Sequence, residues 1–153
     1  IHSVDALRWM AGAPVKKVSS SVRKLYAEYY NSFNALVEFE NGAIGFLMGN
    51  WTAGSRIHMF EMHSKGISAL VNPNEKALIY SDNKSQPEVL STYEVAGGSK
   101  EFHIYYGFYD ENRHFIECLV KDEQPETCFE DAVKTMELID QIGKNTTRET
   151  FDI

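Results

Sequence analysis

The sequence predicts an α+β fold: a large, mainly antiparallel open sheet with its helices on one side. Three observations predict it. Apolar residues recur with period two through most of positions 15 to 108, Asn41 and Gly42 join two apolar runs, and positions 111 to 142 return to helical spacing. Strands grouped ahead of helices, rather than alternating with them, separate this class from the parallel α/β folds.

The elements follow in order. A first helix is expected from Ser3 to Ala11, where Val4, Leu7 and Met10 recur at helical spacing, Asp5 suits the positive end, and Gly12 and Pro14 stop it. From Val15 to about Tyr30 the period becomes two, with Val18, Ser20, Val22 and Lys24 on one face and Lys17, Ser19, Ser21 and Arg23 on the other. Asn34 to Phe39 and Ala43 to Trp51 form a hairpin through Asn41 and Gly42, a pair suited to positive backbone angles. In its second strand Ala43, Gly45, Leu47 and Gly49 make a face small enough for a helix or a neighbouring subunit to approach closely. The opposite face, Ile44, Phe46 and Met48, reads as apolar packing.

Further strands are expected over Arg56 to His63, Ile67 to Val71, Ala77 to Ser81, Val89 to Val95 and Glu101 to Phe108, with Gly, Pro and Asn turns between them. In the last of these, Phe102, Ile104, Tyr106 and Phe108 alternate with His103, Tyr105, Gly107 and Tyr109, an aromatic face that fits a core strand, sugar stacking or a subunit contact. Two helices close the chain. One runs from Glu111 to Lys121 behind an Asp110 cap; the other carries a Thr127 and Glu130 capping box, a stripe of Phe129, Val133, Met136 and Ile142, and Gly143 as its stop.

At 153 residues and 43% hydrophobic content the chain can bury one core, and positions 1–153 read as a single domain. The formal charge of −7 repels phosphate backbones and anionic lipid, so neither nucleic acid nor membrane is expected as a partner. Cys118 and Cys128 lack ligand spacing, and the N-terminus lacks a basic and apolar leader, which fits a soluble protein of the reducing cytoplasm. The chain opens at Ile1 directly on a helix, without an initiator Met, and so reads as a fragment.

The chemistry-bearing residues are few. Gly42, Gly45 and Gly49 lie inside strands and Gly97 with Gly98 lacks a P-loop frame, so no dinucleotide cradle is expected in this chain. His58 and His63 fall on opposite strand faces and cannot share an ion, while Glu61 and His63 can pair on one solvated face. His2 and Asp5, three residues apart at a helix start, face the same side and suit either capping or acid-base work.

His2, Asp5, Leu7, Arg8, Trp9, Met10, Gly12 and Pro14 together resemble the segment that opens the C-terminal domain of the glucose-fructose oxidoreductase, inositol dehydrogenase and MocA (Gfo/Idh/MocA) family. Phe39 to Gly45 is similar to that family's central hairpin. His114, Phe115 and Leu119, through Gln124 and Pro125 to Asp131, Ala132 and Leu138, resemble its closing helices.

The resemblance implies a two-domain oxidoreductase of a sugar, inositol or related polyol, whose N-terminal Rossmann domain, outside this chain, binds NAD or NADP. It implies that His2 assists proton removal from the substrate hydroxyl while hydride passes to the nicotinamide, and that Asp5 orients His2 or binds substrate. The family's catalytic lysine, and an aspartate four residues before the histidine, fall ahead of Ile1, so this fragment alone is expected to be inactive and to hold no cofactor. Trp51 and Arg56, at and after the end of the long hairpin strand, offer the aromatic face and charged donor that polyol binding uses. A homo-oligomer through the sheet, with Tyr105 and Tyr109 at the contact, completes the expectation. The competing reading is a non-catalytic ligand-binding or assembly module on the same sheet fold.

Overall fold

The computed structural model describes residues 1–144. They divide into two compact units, Ile1–Gly54 together with the segment from Glu126 onward, and Ser55–Pro125. The first unit opens with α1 (His2–Ala11), β1 (Val15–Arg23), β2 (Ser32–Phe39) and β3 (Ile44–Asn50). The second holds β4 (Phe60–Ser64), β5 (Ile67–Asn72), β6 (Lys76–Ser81), β7 (Glu88–Ser91), α2 (Thr92–Val95), α3 (Phe102–Tyr105) and α4 (Phe108–Lys121). The chain then returns to the first unit as α5 (Phe129–Lys144).

In the first unit β1, β2 and β3 pair antiparallel in sequence order. The register sets Val18 opposite Val37 and Val37 opposite Gly45, so residues two apart along each strand share one face. That face supplies Val18, Val22, Ala35, Val37 and Phe39 to a core completed by Val4 from α1 and Leu138 and Ile142 from α5. Each of the Val, Leu, Ile and Phe side chains among them contributes about 1.5–3 kcal/mol on leaving water. The small face of β3 receives a helix, as its residues predict. A Cβ on Gly45 would lie 2.7 Å from Leu7 Cδ1 and 3.2 Å from the Phe39 ring.

The opposite face of β3 departs from expectation. Ile44, Phe46 and Met48 were expected to pack, yet Phe46 is 73% and Met48 86% exposed. Both helices of this unit pack on the other face, and among the described residues of the unit nothing covers this one. A similar correction holds on α5, where Phe129, Val133 and Met136 are exposed and Thr135, Leu138 and Ile142 are buried. At 3.6 residues per turn the first three fall within about 60° of one another, with Ile142 on the far side beside Thr135 and Leu138. Gly143 lies inside the last turn of α5 and does not stop it.

β1 ends at Arg23, well short of Tyr30. The Asn31 side chain takes over the pairing beyond it, accepting from the Leu25 N–H and donating to the Leu25 carbonyl, each at 2.7 Å. That double bond closes residues 24 to 31 into a loop.

In the second unit β4 to β7 form an antiparallel meander of four strands. The strand expected from Arg56 begins only at Phe60, and the one expected to reach Val95 ends at Ser91. Ser91 instead caps α2: its hydroxyl accepts from the Glu94 N–H at 3.1 Å and its own N–H donates to the Glu94 carboxylate at 3.0 Å. These bonds hold the Glu94 carboxyl below its ordinary pKa.

The strand expected over Glu101 to Phe108 is helical, and Tyr105 and Tyr109 lie on α3 and α4, off any sheet. Its aromatic residues also satisfy helical spacing: Phe102 stacks on Tyr106 with ring centroids 4.7 Å apart and meets Tyr105 edge-on at 5.8 Å. Gly107, at φ 87, then starts α4 two residues before the expected Asp110 cap is reached. Asp110 sits in the first turn and pairs with Arg113 at 2.9 Å. The seven strands thus keep the α+β class and wholly antiparallel pairing, apportioned to a three-stranded and a four-stranded sheet.

Candidate functional site

The orientation of α1 decides where His2 stands. Gly12 ends the helix in the left-handed region at φ 63, and Asn41 of the hairpin turn donates to the Ala11 carbonyl at 2.9 Å, which pins the C-terminal end of α1 over that turn. Leu7 lies over Gly45. The helix therefore runs against β3, with its N-terminal end directed toward the Asn50 end of the strand. Five helical residues carry His2 about 7.5 Å past Leu7, in the direction of Trp51. His2, the first helical residue, is exposed.

Asp5 is otherwise engaged. Its Oδ1 accepts a 2.5 Å hydrogen bond from the Thr135 hydroxyl of α5, and the Arg8 guanidinium stands 3.6 Å away. Arg8 Nε donates to the same Thr135 hydroxyl at 3.1 Å, and its Nη2 forms an ion pair with Asp131. Thr135 is 2% exposed. The four side chains clamp α1 onto α5, and they fix the helix that carries His2. Charge-assisted bonds of this kind are the stronger class of hydrogen bond. The sequence shows Arg8 one turn after Asp5, but Thr135 and Asp131 are more than 120 positions away and carry no motif.

Trp51 leaves β3 at the end toward which α1 points. Its N–H donates to the Asn31 carbonyl at 2.9 Å, and its ring meets Phe33 at a centroid distance of 5.6 Å. His2 and Trp51 thus belong to one end of the three-stranded sheet. Arg56 belongs to the second unit, where it is exposed in the irregular segment ahead of β4.

In the second unit His63 does pair with Glu61, Nε2 to Oε1 at 2.6 Å, and its Nδ1 stands 2.9 Å from the Ser68 hydroxyl across the β4–β5 hairpin. Both His63 and Glu61 are exposed, as a solvated sheet face requires. His58 lies outside β4, its ring tilted on Phe60 at 4.7 Å. Among the described residues no three His, Cys, Asp or Glu gather as metal donors. No helix among them is long and apolar enough to cross a membrane. Gly42 occupies the hairpin turn, Gly45 and Gly49 lie in β3, and Gly97 and Gly98 precede a helix of four residues. None of these forms the strand, glycine-rich turn and long helix that hold a dinucleotide.

Comparison with known proteins bears on the fold. Residues 1–66 match the family model described as the GFO/IDH/MocA C-terminal domain. No curated protein matches. Among solved structures, UDP-N-acetylglucosamine 3-dehydrogenase from Acidithiobacillus ferrooxidans is 13% identical, with TM-score 0.78 over 95% of this chain and 45% of its own. An oxidoreductase from Agrobacterium radiobacter in complex with NAD+, L-tartaric acid and magnesium is 13% identical, with TM-score 0.78 over 96% of this chain and 45% of its own. The aldose-aldose oxidoreductase from Caulobacter crescentus, complexed with glycerol, is 14% identical, with TM-score 0.74 over 94% of this chain and 42% of its own. At such identities the likeness is one of fold. The chain spans less than half the length of these structures.

Proposed function

We propose that this chain, which carries the GFO/IDH/MocA C-terminal domain signature in residues 1–66, is the substrate-binding and oligomerisation domain of an NAD- or NADP-dependent oxidoreductase acting on a sugar, inositol or related polyol. The observation that carries the reading is His2: an exposed imidazole at the N-terminal end of a helix whose other end is pinned and whose flank is clamped to α5. An exposed imidazole carried on a fixed helix is suited to take a proton from a substrate hydroxyl. Asp5 serves it through the helix, as a positioning residue. Trp51 is the proposed substrate contact of the first unit; Arg56 is proposed as a contact on its charge alone. The cofactor belongs to the partner Rossmann domain, and the NAD+ complex among the similar structures supports a nicotinamide there.

The test uses the protein with its upstream domain in place. NAD+ and NADP+ are offered in turn with a panel of aldoses, inositols and acyclic polyols, and reduction is followed by absorbance. Turnover of one class with either cofactor is expected. Tight nicotinamide binding without turnover of any hydroxylated compound favours the non-catalytic module, a reading supported by the engagement of Asp5 in internal bonds. Cys118 and Cys128 are both free thiols, which supports a cytoplasmic setting.

Oligomerisation is assigned to the uncovered face of the three-stranded sheet, where Ile44, Phe46 and Met48 stand exposed. A contiguous apolar face on a sheet is unfavourable in water and is covered by pairing with a second copy. Sedimentation velocity is expected to show a dimer or larger assembly, and Phe46→Glu to dissociate it without lowering the melting temperature of the monomer. A monomer at high concentration overturns the assignment.

A further inference from the structure

We infer that the loop from Lys24 to Asn31, together with Trp51, is a stacking platform for a neutral, polyhydroxylated six-membered ring. The inference deepens the reading above by naming the part of the substrate that this unit grips.

The first ground is the loop's length. β1 and β2 pair down to Arg23 opposite Ser32, so two residues would suffice to turn the chain. Eight are present. They include Tyr26, Tyr29 and Tyr30, which are 91%, 62% and 48% exposed, and the loop they belong to is joined by its last residue, Asn31, to Trp51, 70% exposed. Four large aromatic rings stand exposed at one end of one sheet, the end toward which the N-terminus of α1 is directed.

The second ground is rigidity. Asn31 is 1% exposed and joins three segments: its side chain brackets Leu25, its N–H donates to the Arg23 carbonyl at 3.1 Å, and its carbonyl accepts from the Trp51 N–H at 2.9 Å. The loop and the β3 exit are therefore fixed to each other through one buried residue, by its side chain on one side and its backbone carbonyl on the other. Tyr26 sits at φ 58, a left-handed conformation that costs a non-glycine residue about 1 kcal/mol or more. Such strain persists where surrounding bonds over-determine it, and here the Asn31 bracket does so.

The third ground is chemistry. A tyrosine or tryptophan ring offers an apolar face to the C–H side of a sugar ring and a polar tip to its hydroxyls. Glu28, within the loop, and the chain's net charge of −7 disfavour a phosphorylated or otherwise anionic ring. Lys24 is directed at the Tyr30 ring, 5.4 Å from its centroid, and stays within the platform. The apolar residues suited to a second copy, Ile44, Phe46 and Met48, lie along β3, whereas the tyrosines lie in the loop between β1 and β2, so the two surfaces are separated by position.

The test is saturation-transfer NMR on the 153-residue chain with methyl β-D-glucopyranoside and, separately, myo-inositol. Saturable transfer to ring protons is expected, and Tyr29→Ala and Trp51→Ala are expected to weaken it about tenfold each. Both side chains are exposed, so both variants should melt with the parent protein. Trp51 fluorescence in a Trp9→Phe background gives an independent titration. Absence of transfer to either compound, transfer unaltered by the two variants, or transfer to UDP alone overturns the platform. Binding is read without cofactor or turnover: loss of His2 chemistry leaves this result standing, and failure here leaves the role of His2 to be judged by turnover.

Discussion

Replacing His2 with alanine is expected to lower turnover of the whole enzyme by about 10²- to 10⁴-fold, the range that a positioned general base contributes, while nicotinamide affinity stays unchanged. The structure separates this effect from loss of fold. His2 is exposed and contributes nothing to the core, so the variant should unfold within about 0.5 kcal/mol of the parent. Glutamine is the informative second substitution, because it keeps hydrogen-bonding capacity and length but cannot take a proton at neutral pH. If His2→Gln is as slow as His2→Ala, the imidazole acts as the base. If His2→Gln restores turnover, the side chain only orients substrate, and the general-base assignment fails. A KM that rises with kcat unchanged would likewise assign it to binding alone.

Much of the first unit was legible because local and tertiary signals agree there. Gly12 stops α1 where the period changes, Asn41 and Gly42 turn the hairpin, and the small face of β3 admits Leu7 over Gly45. Where the reading failed, a pattern served two periods or a face had no partner. Phe102 to Tyr109 alternates as a strand does, yet Phe102, Tyr105 and Tyr106 also follow helical spacing, and helix wins with Gly107 as the break. Ile44, Phe46 and Met48 are apolar without being buried, because hydrophobicity marks the need for a partner and not which molecule supplies it. The α1–α5 clamp was out of reach for a different reason. Its members are ordinary Thr, Asp and Arg residues whose meeting depends on the chain returning after the whole second unit. The tyrosine loop was read as strand because its bracket, Asn31, replaces a ladder of backbone bonds with one side chain.

The largest stability effect is expected at Phe39, which is 2% exposed at the end of β2. Its backbone N–H closes the hairpin on the Ala43 carbonyl at 2.9 Å, and its ring lies 3.2 Å from where a Cβ on Gly45 would stand. The ring therefore fills the corner in which hairpin and α1 meet. Phe39→Ala removes that ring and leaves a cavity that the closed hairpin cannot collapse into, a loss of about 3–5 kcal/mol. Against a typical total of about 5–15 kcal/mol this is a large fraction. Urea denaturation should show a lowered midpoint with an unchanged slope. Phe46, a residue of the same type on the next strand, is the internal control: exposed and on the opposite face, Phe46→Ala should cost about 0.5 kcal/mol or less in the monomer. Equal losses at the two positions would mean that the uncovered face is itself packed in solution. In that case the sheet would be part of one continuous interface, and its stability would depend on protein concentration.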